Sequence, residues 1–250
     1  LLHLQRILSV AALTGALGLT HSAVRADDVT VFAAASLRDA VGEVTQVYEA
    51  ETGGSLRPVF AASSAVARQV AQGAPADVVL LADAEWASWL AANAEVRAGR
   101  VFAGNALVLI TSQNGVLDDI NTLPDAIGDG VLAMAEVTSV PAGRYGQAAL
   151  QALGLWDALA PRAVQAANVR AALRFVERGE AAYGIGYASD LVALPKLTVA
   201  YAFDAGTHPA ITYHALTLTP AGTAFVDVLM SENGQSALRT WGFTPPPDMP

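Results

Sequence analysis

The chain has 250 residues, 53% of them apolar, with 14 Lys and Arg against 23 Asp and Glu, and no cysteine. That is enough apolar material for one large α/β domain or two small ones, and it removes disulfides, cysteine-ligated zinc and thiol nucleophiles. The net charge of −9 argues against nucleic acid or an anionic membrane as partner.

The first 26 residues hold Arg6, an apolar run over 7–19 and then Val24-Arg25-Ala26. The run is shorter than the roughly 20 residues a membrane-spanning helix needs. The pattern predicts a signal peptide over 1–26, cleaved after Ala26, and a soluble periplasmic product. Loss of Arg6 and Arg25 takes the net charge to −11.

"DVTVFAAA" reads as a strand and 37–51 as a helix ending near Gly53-Gly54. "SLRPVFAA" is a second strand, and Ser63-Ser64 opens a helix that stops at Gly73. "ADVVLLAD" is a continuous apolar strand, as in a sheet covered on both faces, and "EWASWLAAN" is helical. "NALVLITS" is the next strand, followed by a short helix near 123–127 and the strand "GVLAMAE". A helix runs from Pro141 to a stop at Gly154, and "RAVQAAN" leads into another over 169–178. "AAYGIGYASD" is a strand turning into a helix near Ala188, "KLTVAYAF" and "ITYHALTLT" are strands, and 221–240 is mostly helix. The alternation predicts mostly parallel α/β sheets, which bind ligands beyond the carboxyl ends of their strands.

Four helix starts share small, neutral residues: Ser36, Ser63 with Ser64, Pro141 in "VPAG", and Asn168 in "ANVRAAL". A helix amino-terminus offers unpaired N–H groups and a partial positive charge, so an oxyanion can sit there without Lys or Arg. The same residues are ordinary caps, and Ser36 with Asp39 reads as a capping box. Arg38, Arg68, Arg144 and Arg170 lie early in these helices. They are either anion ligands or, more commonly, partners of carboxylates and solvent. Tyr187 is either a donor into the cleft or a strand tyrosine satisfied locally.

No nucleophile elbow, Walker loop or dinucleotide fingerprint is present. Beyond the signal, only His208 and His214 remain, without zinc spacing. These residues give no catalytic motif to build on. The different-class alternative is a periplasmic hydrolase using Ser36 or Ser63 with His214 and an Asp.

The stretches "VFAAASL", "ASSAVARQVAQGAPADVVL", "VPAGRYGQAAL", "VRAALRFVERGEAAYGIGYASD" and "ALRTWGFTPP", in that order, resemble the periplasmic molybdate-binding proteins of ABC transporters. The resemblance implies a type II periplasmic binding protein fold, two α/β lobes with a ligand cleft between them. It places 27–108 with 205–250 in the first lobe and 109–204 in the second. It implies an oxyanion held by the hydroxyls of Ser36 and Ser63, the amides of Ala142 and Val169, and Tyr187. The transported ligand would be molybdate or tungstate, with no cofactor and no direct metal ligand. The implied partner is an ABC permease in the inner membrane, and the protein would be a monomer. One departure stands out: "MAEVTSVPAG" has Met134-Ala135-Glu136 where well-known members have Gly-Asp-Pro shortly before V-P-A-G. A shell of donors alone suits a fully ionised oxyanion, and a carboxylate in it would repel one. Sulfate or another small oxyanion is the same-class alternative.

Overall fold

Apolar runs and helical stripes alternate along the chain, and the computed structural model turns them into ten strands and ten α-helices over residues 28–112 and 115–246. The expected signal peptide lies outside these residues. β1 (Val29–Ala34) enters a 3₁₀ turn at Ala35–Leu37 that passes directly into α1 (Arg38–Thr52). β2 (Leu56–Ala61), α2 (Ser63–Ala71), β3 (Val78–Leu81), α3 (Ala84–Asn93) and β4 (Ala98–Gly104) follow. Next come β5 (Leu107–Thr111), α4 (Leu123–Ile127), β6 (Leu132–Ala135), α5 (Pro141–Ala152), α6 (Trp156–Leu159) and β7 (Ala163–Ala166). The chain continues through α7 (Val169–Glu177), β8 (Tyr183–Tyr187), α8 (Asp190–Ala193) and β9 (Thr198–Ala202). It ends with β10 (Thr212–Thr217), α9 (Pro220–Met230) and α10 (Glu232–Thr240).

The strands form two five-stranded sheets, β2-β1-β3-β10-β4 and β7-β6-β8-β5-β9. β3, β5, β6 and β8, all interior strands, are buried at every position, because helices cover both faces. β1 runs parallel to β2 and β3, and β6 runs parallel to β7 and β8. The carboxyl ends of all six strands therefore collect at one edge of each sheet. β10 and β5 run antiparallel within their sheets.

The chain leaves the first sheet after Gly104 and joins the second at Leu107, then returns between Ala202 and Thr212. The expected boundary between 108 and 109 thus falls inside β5, and the change of sheet lies at Asn105-Ala106. β4 was not expected. It is an edge strand whose first three residues are exposed, so the segment "AGRVFAG" carries no long apolar run. The single helix expected over 221–240 is two helices. Ser231 is extended between them (φ −65°, ψ 165°), and its side chain accepts from the Gly234 amide. That hydroxyl both ends α9 and caps α10.

The start of α9 packs against the loop before β3. A Cβ on Gly222 would lie 2.1 Å from the Asp77 carbonyl oxygen, so only glycine lets the helix approach. Gly222→Ala is expected to destabilise the protein by about 1–3 kcal/mol. Thermal unfolding would read this as a melting temperature lower by about 2–12 °C.

Candidate functional site

The two sheets turn their strand ends toward each other across a small pocket. Ser36, Ser63 and Ala82 line it from the first lobe, and Pro141, Ala142, Val169 and Tyr187 from the second. The five residues singled out in the sequence are therefore brought to one place. All are buried: Ser36 is 2% exposed, and Ser63 and Tyr187 are each 1% exposed.

The hydroxyls are arranged differently from simple caps. Ser36 does not cap a helix. The 3₁₀ turn that contains it has no side-chain cap, and its Oγ lies 3.1 Å from the Tyr213 hydroxyl. The capping box with Asp39 does not form, because the serine sits inside the turn rather than before it. Ser63 is the first residue of α2, and its Oγ accepts from the Ala82 amide at 2.9 Å. A hydroxyl has one proton, so Ser63 keeps its own to donate. The Tyr187 hydroxyl is buried with no hydrogen-bond partner among the described residues. Burial pushes its phenol well above the ordinary value of 10, so it stays a donor at any physiological pH.

The helix starts add backbone donors. Neither α2 nor α5 has a side-chain cap, whereas α7 is capped by Asn168, whose Oδ1 accepts from the Ala171 amide at 3.0 Å. The first turns of α2, α5 and α7 carry Ser63, Ala142 and Val169 into the pocket wall. Uncapped amides at a buried helix start call for a partner.

The departure at Glu136 has a clear local role. Its carboxylate accepts from the Thr138 and Ser139 amides at 2.7 and 3.0 Å and from the Ser139 hydroxyl at 2.7 Å. Burial would raise its pKa, but these bonds with the Thr138 hydroxyl outweigh it and hold the carboxyl at about 2. The turn so formed delivers Val140 and Pro141 to the pocket. Just beyond, a Cβ on Gly143 would lie 2.3 Å from the Glu136 oxygen and 2.4 Å from that of Ala135. The glycine lets the first turn of α5 rest on the end of β6, which fixes Ala142.

None of the four arginines lines the pocket. Arg38 stacks over Phe60 and Arg68 over Trp86, at 4.9 and 5.0 Å. Arg144 and Arg170 reach across the cleft. Arg144 pairs with Glu85 and lies 3.7 Å from Asp83. Arg170 lies 2.5 Å from Asp190 in its own lobe and 2.8 Å from Asp39 in the other, and donates to the Ser36 carbonyl at 3.4 Å. The Trp86 indole donates to the Ser139 carbonyl at 2.7 Å, also across the cleft. These contacts hold the lobes closed. Asp83 is buried among them, and burial raises its carboxyl to about 6 against the pull of the Trp86 amide and Arg144.

Neither histidine approaches the serines. His214 Nε2 pairs with Thr212 Oγ1 at 2.8 Å, burial lowers its pKa, and His208 bonds the Pro209 carbonyl. Among the described residues, neither histidine hydrogen-bonds a serine, as a serine nucleophile would need. Sequence reasoning missed Asn105, Glu136, Tyr213 and Asp190 as parts of the site. Each acts through a neighbour, and of the four only Asp190, at the end of "GYASD", lay within a motif singled out.

Residues 29–244 match the family of bacterial extracellular solute-binding proteins. The molybdate-binding protein ModA of Escherichia coli strain K12 is 34% identical over 227 residues, covering 86% of this chain and 88% of the relative. ModA of Haemophilus influenzae is 32% identical, covering 95% and 97%. The solved structure of an Azotobacter vinelandii periplasmic molybdate-binding protein superposes with a TM-score of 0.79 at 20% identity, covering 87% of this chain and 99% of that one.

The Glu136 turn makes a pH signature. A carboxyl at about 2 when folded, against an ordinary value near 4.5, adds stability that is present above pH 4.5 and lost as the pH falls toward 2. Glu136→Gln is expected to lower the melting temperature relative to the unaltered protein at pH 5–7. The gap should close steadily between pH 4.5 and 2. A gap independent of pH would show that the charge is immaterial.

Proposed function

The chain belongs to the bacterial extracellular solute-binding protein family, and on that premise we propose that its pocket captures molybdate, and tungstate equally, through Ser36, Ser63, the amides of Ala142 and Val169, and Tyr187. The protein is a periplasmic substrate-binding component of an ABC transporter and not an enzyme. We further propose that it works as a monomer, with residues 28–104 and 212–246 as one lobe and 107–202 as the other. It closes around the anion and delivers it to a permease in the inner membrane.

One observation carries the ligand assignment. The Tyr187 hydroxyl is fully buried and unpaired, and it shares a pocket with two serine hydroxyls, uncapped helix starts and no carboxylate. A fully ionised oxyanion needs donors on every side and offers no proton in return. A monoprotonated one would bring an O–H, and the pocket lining has no carboxylate to receive it. The helix starts add the positive ends of their dipoles. The protein thus binds an anion without a cation in contact with it.

Calorimetry of the mature protein with molybdate, tungstate and sulfate tests this. Molybdate and tungstate are expected to bind alike and more tightly than sulfate. Tighter sulfate binding would make it a sulfate receptor. Ser36→Ala and Ser63→Ala each remove a donor to a charged ligand, about 1.5–3 kcal/mol, or roughly tenfold to hundredfold in affinity. Arg38→Gln and Arg68→Gln are expected to cost less than either. An arginine variant that outranks both serines would overturn the neutral-donor site. Affinity is also expected to be flat from about pH 7 to 9, because Tyr187, the one lining side chain with an ionisable group, is pushed above that range.

A further inference from the structure

Behind Ser36 lies a polar chain that starts at a half-buried residue where the backbone first crosses between the lobes. Asn105 occupies that crossing. Its Oδ1 accepts from the Ala106 amide at 3.0 Å and the Ser189 amide at 3.4 Å. Two backbone donors on the oxygen fix which way the amide faces. Its Nδ2 therefore points the other way and donates to Ser189 Oγ at 2.8 Å and to the Tyr213 hydroxyl at 3.3 Å. Tyr213 accepts from Asn105, and among the described residues Ser36 Oγ, at 3.1 Å, is the acceptor within reach of its own proton. Ser36 then accepts from Tyr213, and its own proton is left to face the pocket.

No competing arrangement is at hand. Tyr213 is 0% exposed. Its ring is held edge-on by Phe102, Tyr187 and Phe243 at centroid distances of 6.0, 6.2 and 5.1 Å. Burial raises its phenol pKa.

We infer that Tyr213, oriented by Asn105, is a positioning residue that fixes the Ser36 hydroxyl as a donor to the oxyanion. The inference rests on the oxyanion reading of the pocket and adds to it the source of donor polarity at Ser36. A free serine hydroxyl could turn its lone pairs to a protonated anion. The relay forbids that turn and so contributes to the choice of a fully ionised ligand.

A double-mutant cycle read by calorimetry with molybdate tests the relay. Tyr213→Phe keeps the ring and removes the hydroxyl. It is expected to weaken binding about threefold to tenfold when Ser36 is present, and by less than twofold in the Ser36→Ala background. A purely structural role for the hydroxyl would cost the same factor in both backgrounds. Asn105→Asp reaches the same end without touching Tyr213. A carboxylate takes the tyrosine proton, so Ser36 must donate to Tyr213 instead of to the ligand. Its cost should exceed its cost in the Ser36→Ala background, where only the added charge acts. Additive costs in both cycles would overturn the relay while leaving the ligand assignment intact. An unaltered protein that binds none of the three dianions would overturn the ligand assignment, and the relay with it.

Discussion

The Asp190 carboxylate is fully buried, and the second lobe's half of the pocket hangs on it. A charge cannot remain in the interior without close partners. Asp190 takes them from two parts of the site: the Tyr187 amide at 3.0 Å and the Arg170 guanidinium at 2.5 Å. Burial raises its pKa while Arg170 pulls it back. The strand end that presents Tyr187 is thereby tied to the first turn of α7, which presents Val169. Arg170 extends the tie to Asp39 and the Ser36 carbonyl in the other lobe. One buried acid sets the relative positions of three of the residues around the ligand.

The same pairing removes a conflict in the helix electrostatics. A cation in the first turn opposes the positive end of the helix dipole, and Arg170 is the second residue of α7, while Arg144 is the fourth of α5. Each is matched by carboxylates: Asp190 and Asp39 for Arg170, Glu85 and Asp83 for Arg144. What remains facing the pocket is amide and hydroxyl. The anion therefore needs no guanidinium beside it, and the arginines are free to join the lobes.

The sheets were legible in the sequence because their central strands are unbroken apolar runs, which read the same in isolation as in the fold. β4 was not, since its half-exposed edge position tolerates Arg97, Gly99 and Arg100 in and beside the strand. The two-helix ending was hidden because Ser231 looks like any helix serine until its hydroxyl is seen capping Gly234. At the site, the turns at Ser36, Ser63, Pro141 and Asn168 were recognisable in the sequence as helix starts, whereas Ala142, Val169 and the assignment of Tyr187 as a ligand came from the family resemblance. Their assembly in one pocket follows from parallel strands that end together. Tyr213 could not be named. It is 177 residues from Ser36, and in an alternating strand a tyrosine with a polar duty looks like one that merely packs. Glu136 was noticed only as a departure. Its function lies in bonds to residues two and three positions on, which fold a turn no propensity scale describes.

The charges across the cleft are sorted by lobe. The carboxylates that meet Arg144 and Arg170 from the opposite side, Asp39, Asp83 and Glu85, all belong to the first lobe. When the lobes part, the second keeps two guanidinium groups at its rim and the first keeps three acids. A dianion diffusing up to this acidic protein is thus repelled by one rim and drawn to the other within a Debye length of about 8–10 Å. On the proposed reading of the pocket, capture would acquire an order, with the anion meeting the α5 and α7 side first and the first lobe closing over it. Rising ionic strength would slow the arrival and, if buried neutral donors hold the anion as proposed, leave the bound complex largely untouched.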